Sequence, residues 1–279
     1  MRPTRRRDRK YGLIDMRLLD GRPERLATIP YRAAGPGGVA RNLQLAVERL
    51  RVDTLPGGCT ALLATGDLQG IATSRDTGKP ALLGIALAGY LGLWAESGLF
   101  PAPGDIAVLL TGDLYSAPDA DLRGATGDVS TVWAAFAAAG CPAVVGIAGN
   151  HDELSPAWAD DPGPGVALLD GTRYHHGDLT VAGVSGVIGV PAKPFRRTEE
   201  AFLATVDALT DPPPDVLLLH EGPRGTGPDQ PGRATLRARL ERRPPPLTLC
   251  GHVHWARPIA PLGAGHILNV DARAVLLTT

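Results

Sequence analysis

The chain has 279 residues, 44% of them hydrophobic and 20% charged, with a formal net charge of −1. That length can bury a large core in one or two domains, and the composition is that of a globular protein rather than a fibrous or disordered one. The near-neutral charge supplies no general field for a nucleic-acid backbone, and no run of about 18 apolar residues offers a membrane span.

Residues 1–37 lack sustained periodicity and open on Arg2, Arg5, Arg6, Arg7, Arg9 and Lys10. They read as a solvated basic tail or loosely packed extension, with 38–279 as a single domain. No apolar stretch follows the basic start, so no secretory signal is expected. Val39, Leu43, Ala46, Val47 and Leu50 have helical spacing. A strand over 61–65 then runs into Gly66-Asp67-Leu68-Gln69-Gly70, and a polar loop covers 71–80. Residues 80–98 read as a helix with Pro80 near its start. The pattern repeats: strand 106–110 into Thr111-Gly112-Asp113, a polar loop, helix 129–139, then strand 144–148 into Gly149-Asn150-His151-Asp152. Such alternation implies parallel strands with crossover helices.

Beyond His151 the rhythm shortens. Segments 166–169, 172–174 and 179–184 are joined by Asp170-Gly171 and Gly177-Asp178, which reads as hairpins. Helices are expected over 198–209 and 233–242. Apolar strands at 216–219 and 247–250 end in His220 and in Gly251-His252-Val253-His254. The chain closes on strands near 258–260, 267–270 and 274–277, read as antiparallel. The expected fold class is α/β, a two-sheet mixed β-sandwich flanked by helices. Cys59, Cys141 and Cys250 are odd in number and without CxxC spacing, which points to reduced thiols and a cytoplasmic location.

Five apolar strands thus end in Asp, Asn or His, as they would if a site were assembled at one edge of a sheet. Asp67, Asp113, Asn150, His220, His252 and His254 are candidate metal ligands, imidazole being the commonest protein ligand for a transition metal. In an extended loop the rings of His252 and His254 would point to opposite sides and serve two ions. A bridging carboxylate can hold two cations about 3.5–4 Å apart, and the mixed nitrogen and oxygen donors suit Mn, Fe, Zn or Co better than Ca. His151 is a candidate general acid for a leaving alkoxide, with Asp152 to orient it. The bland alternatives are turn residues at Asp67, helix caps at Asn150 and Asp152, and a core histidine at 220. Arg75, Arg123 and Arg257 lie in or near the tip loops, as phosphate contacts or as solvated charges. His175 and His176 are expected at the surface.

Gly112-Asp113, Gly149-Asn150-His151-Asp152, the lone His220 and Gly251-His252-Val253-His254, in this order, resemble the signature of the calcineurin-like metallophosphoesterases over about residues 60–279. The segments Leu168-Leu169-Asp170-Gly171 and Val181-Ala182-Gly183-Val184 resemble that family's middle hairpin. The resemblance implies a two-sheet sandwich flanked by helices in four layers. It also implies two divalent cations, manganese first, with iron, zinc or magnesium as alternatives. Asp67 and His254 would bind the first ion, Asp113 would bridge, Asn150, His220 and His252 would bind the second, and His151 would face the scissile phosphate. The implied reaction is hydrolysis of a small phosphomonoester or phosphodiester by metal-bound hydroxide. The family's opening Asp-x-His reads here Asp67-Leu68-Gln69, so Gln69 offers a neutral oxygen where imidazole is usual, which implies a first ion that is looser, harder in preference (Mn or Mg), or bound partly through water. Gln69 also motivates a second reading, a non-catalytic scaffold of the same fold that binds a partner protein. A nuclease is a third reading, disfavoured by the net charge. Specificity would reside in loops 71–80, 114–128, 153–165 and 221–232.

Overall fold

The computed structural model describes residues 16–58 and 60–279. Its nine-stranded sheet runs, in spatial order, Val166–Leu168, Ala143–Gly146, Ile106–Leu110, Ala61–Gly66, Arg273–Thr278, Ala40–Arg51, Glu24–Ala34, Ile71–Thr73 and Pro80–Leu82. A six-stranded sheet runs Thr172–His176, Leu179–Val184, Val216–Leu219, Leu247–Cys250, Gly265–Asn269 and Ile259–Leu262.

Strand alternation explains how the sheets stack, because successive side chains point to opposite faces. Leu62, Ala64, Ala107 and Leu109 of the larger sheet meet Val216, Leu218, Leu247 and Leu249 of the smaller one in a shared core. The intervening residues Ala61, Leu63, Ile106, Val108 and Leu110 face outward, onto Leu83, Leu87, Leu91, Val132, Trp133 and Phe136 of helices Leu83–Glu96 and Ser130–Ala138. On the far side, Leu217 and Leu219 pack with Phe202, Val206, Leu236 and Leu240 of helices Glu199–Leu209 and Ala234–Leu240. Each fully buried Leu, Val or Phe contributes about 1.5–3 kcal/mol. The result is helix, sheet, sheet, helix, the four layers expected. The Glu199–Leu209 helix starts where its sequence says: Thr198 Oγ1 accepts from Ala201 N at 3.2 Å, and Glu199 and Glu200 occupy the positive first turn.

Several elements differ from expectation. The helix expected over 39–50 is the long strand Ala40–Arg51, antiparallel to Glu24–Ala34 and parallel to Arg273–Thr278. The extension expected over 1–37 therefore contains a strand of the larger sheet; residues 1–15, with the six basic side chains, lie outside the described residues. The helix expected from residue 80 begins at Leu83, after the short strand Pro80–Leu82. Val166–Leu168 pairs in parallel with Ala143–Gly146, so Asp170-Gly171 carries the chain between sheets, and only Thr172–His176 with Leu179–Val184 is a hairpin. The closing strands divide. Ile259–Leu262 and Gly265–Asn269 are antiparallel in the smaller sheet, whereas Arg273–Thr278 enters the larger one between Ala61–Gly66 and Ala40–Arg51.

Parallel pairing aligns the carboxyl ends of Ala61–Gly66, Ile106–Leu110 and Ala143–Gly146 in one sheet, and of Val216–Leu219 and Leu247–Cys250 in the other. These five ends define one edge of the sandwich.

Candidate metal centre

Asp67, Asp113 and His252 each follow a strand-end glycine and adopt left-handed backbone, with φ of 51°, 54° and 67°. Such conformations cost about 1–3 kcal/mol in a non-glycine residue and persist only where the surroundings impose them. The packing around them is close. A Cβ on Gly149 would stand 2.0 Å from Asp113 Oδ1, and one on Gly251 would stand 2.1 Å from Asp67 Oδ2. The buried Asp152 carboxylate ties the turns together by accepting from the amides of Asp113 (2.8 Å), Leu114 (2.7 Å) and Gly149 (2.8 Å). Its oxygens are spent on backbone, and His151 Nδ1 is buried without a hydrogen-bond partner. Asp152 therefore shapes the loops and does not orient the His151 ring, contrary to expectation.

Donor atoms of Asp113, His220 and His252 lie within 4.8 Å of one another. The His220 ring is fully buried, and its Nδ1 lies 2.8 Å from the carbonyl oxygen of Thr111. A carbonyl only accepts, so Nδ1 carries the proton of the neutral ring and Nε2 is left as a free donor of its lone pair. That Nε2 stands 3.2 Å from Asp113 Oδ2. Asn150 follows Gly149 and precedes His151, whose amide donates to Asp113 Oδ1 at 2.9 Å. Asn150 Oδ1 and His220 Nε2 are both buried with no hydrogen-bond partner. Unpaired buried acceptors are costly, and a cation satisfies them. The mixed nitrogen and oxygen donors of Asp113, His220 and His252 fit a divalent transition metal.

The electrostatics demand positive charge here. Burial alone lowers the His220 pKa, but the carboxylates of Asp113 and Asp67 outweigh it and raise the ring to about 10, so without a cation Nε2 also carries a proton, which a metal would have to displace. Burial raises Asp113, yet the charge and hydrogen bond of His220 overcome it and hold the carboxyl at about 2. Asp67 is raised by burial and by the nearby charges of Asp271 and Asp113, against the opposing pull of His220. Burial, then Asp113, raise Asp152 to about 6. His252 is lowered by burial and by His220, which keeps its ring neutral.

The other expected ligands flank this group. Asp67 Oδ2 accepts from His252 N at 3.0 Å, and Gln69 Nε2 donates to Asp113 Oδ2 at 2.9 Å. Asp113 Oδ2 thus accepts from Gln69 and stands 3.2 Å from His220 Nε2. His254 stands apart, its side chain 66% exposed and its Nδ1 bonded to Asp271 Oδ2 at 2.9 Å. The left-handed turn at His252 replaces the extended loop assumed from sequence.

Asp67, Gln69, Asp113, His151, His252 and Asp271 open onto a cleft of about 530 Å³. Arg123 and Tyr115 also line it. His151 and Gly124 separate this cleft from a second hollow of about 370 Å³, which carries Lys193 and Arg196. Of the three candidate arginines only Arg123 reaches the cleft; Arg257 pairs with Asp229 at 2.6 Å, and Arg75 is exposed outside both hollows. His175 is exposed and meets Thr180 Oγ1 at 3.2 Å. Asp271 was not legible beforehand as a site residue. Its one sequence signal is an acidic residue directly after the mostly apolar strand end Ile267-Leu268-Asn269-Val270.

The sequence model of the calcineurin-like phosphoesterases matches residues 61–256. The chain belongs to that family. The match spans every candidate ligand from Asp67 to His254, and the four layers agree with the family's fold. Among solved structures, TT1561 of Thermus thermophilus is similar at 20% identity, over 77% of this chain and 90% of that one, with a TM-score of 0.53. At that identity the likeness concerns the fold. Among curated proteins, none matches. No helix among the described residues is long and apolar enough to cross a membrane.

Proposed function

We propose that this family member is a metal-dependent phosphoesterase that hydrolyses a small phosphomonoester or phosphodiester. The observation that carries the reading is the convergence of Asp113, His220 and His252, whose donor atoms lie within 4.8 Å of one another. Asp113, Asn150, His220 and His252 would hold one divalent cation. Asp67, Gln69, Asp113 and His254 would hold a second. Manganese suits a set that mixes nitrogen and oxygen on one side and is oxygen-rich on the other, with iron, zinc or magnesium as alternatives. Bound cations of this kind neutralise phosphoryl oxygens and lower the pKa of coordinated water.

The chain's own residues do the rest. Asp113 would contribute its carboxylate to both positions. Arg123 presents a planar guanidinium to the cleft, where it matches a phosphate bidentately. His151 lines both hollows and holds a proton for the departing oxygen. The transferred phosphoryl group then sits on the Asp67 and Asp113 side, and the leaving group sits beside Lys193 and Arg196, which favours anionic leaving groups. Cys141 and Cys250 are free buried thiols, which suits a reducing cytoplasm.

The test is hydrolysis of a panel of aryl phosphomonoesters and phosphodiesters with manganese added. Turnover that vanishes in a His252→Ala, His254→Ala variant supports the reading. No turnover above that variant on any ester contradicts it. Uptake of fewer than one ion per chain after loading with manganese or zinc would favour the scaffold reading.

A further inference from the structure

We infer that Asp271 is a positioning residue of this centre, holding His254 as a ligand of the cation on the Asp67 side; the inference rests on the two-cation reading above. The His254 side chain is 66% exposed, and without a partner such a ring turns freely and divides between two neutral tautomers. Asp271 removes both freedoms. Its Oδ2 lies 2.9 Å from His254 Nδ1, and a carboxylate facing that nitrogen fixes the proton on it. The lone pair is left on Nε2, the atom through which the ring would reach an ion, and its donor strength rises.

The carboxylate can do this because the backbone around it is fixed. Asp271 N donates to Asn269 Oδ1 at 3.2 Å, Asp271 bridges Gly66, and Ala272 N donates to Gly66 O at 3.2 Å. Asp271 is thereby pinned beside the strand end that carries Asp67, and only 15% of its side chain is exposed. His220 shows the same arrangement in the other half of the centre, with the Thr111 carbonyl oxygen at its Nδ1. The need is greater on the Asp67 side. There Gln69 supplies an amide whose nitrogen points at Asp113, so His254 is the sole imidazole among the ligands of that position.

The test is titration of the metal-free full chain with Mn²⁺, followed by calorimetry and by the electron paramagnetic resonance of free Mn²⁺. The native chain, Asp271→Asn, His254→Ala and the double variant are compared. Asp271→Asn is expected to weaken one of two equivalents by about 10–100-fold and leave the other unchanged. His254→Ala should weaken the same equivalent, and the double variant should bind no worse than His254→Ala alone. Melting of metal-free Asp271→Asn close to the native temperature separates this loss from unfolding, and Asp271→Glu should recover part of the affinity. Two unchanged equivalents in Asp271→Asn overturn the role of Asp271 while leaving His254 a ligand. Full additivity in the double variant overturns it too, because Asp271 would then act independently of His254. If His254→Ala leaves both equivalents intact, or the native chain binds fewer than two ions, the two-cation reading fails and the role of Asp271 fails with it.

Discussion

His151 stands at the junction of the two hollows, its amide tied to Asp113 Oδ1 and its Nδ1 without a partner. That placement suits a proton donor and not a ligand. His151→Ala is expected to lower kcat by about 10²–10⁴-fold with manganese uptake retained. The loss should shrink for esters whose leaving oxygen departs without a proton; an equal loss at every leaving-group basicity would rule out the acid role. Asp152 acts through the backbone. Replacing it with Ala strands three buried amides, at about 1–3 kcal/mol each, so Asp152→Ala should lose at least about 3 kcal/mol in denaturant unfolding. Unchanged stability would show that the clamp carries no weight. The candidate site was legible where a polar residue ended a buried run, because burying Asn150 or His220 without a partner needs a reason. The roles of Asp152 and Asp271 were not legible. Their partners, the Asp113 turn and the Gly66 strand end, are brought to them by pairings distant in sequence.

At the scale of elements, the strands with polar tips could be read because each is short, apolar and bounded by glycine. The Ala40–Arg51 strand was missed although Asn42-Leu43-Gln44-Leu45-Ala46-Val47-Glu48 alternates in a strand's period. Val39, Leu43, Ala46, Val47 and Leu50 fit a helix as well, and tertiary pairing on both edges decided for the strand. Leu45 and Val47 then face the helices, while Leu50 faces the second sheet. Glu24–Ala34 was missed because Pro30 and several charges interrupt its apolar pattern. These strands matter for any truncation. Removing residues 1–37 deletes Glu24–Ala34 and leaves one edge of Ala40–Arg51 unpaired, an invitation to aggregation. The truncated chain should be poorly soluble or melt well below the full one. Equal melting temperatures would show that the strand is dispensable.

At the scale of the whole molecule, two sheets meeting face to face bring five strand ends to one edge, so residues as far apart in sequence as Asp67 and His252 come within a hydrogen bond. The same dense interior silences the thiols. Burial pushes Cys141 up to about 12, and Cys250 is also raised by burial. The folded chain holds the Cys141 proton more tightly than the unfolded chain, so this group lowers stability as pH rises from about 9 to about 12. At pH 8 iodoacetamide should spare both thiols in native Cys59→Ser and label both after unfolding; native labelling at the unfolded rate would contradict their burial. Hydrolysis as proposed depends on a cation among Asp113, Asn150, His220 and His252, and an anomalous-difference map from crystals soaked in manganese tests for it most directly. A peak in contact with Asp113, His220 Nε2, His252 and Asn150 Oδ1, each at about 2.0–2.3 Å, is the expected result. A map with no peak there, or with manganese bound only elsewhere, would contradict it.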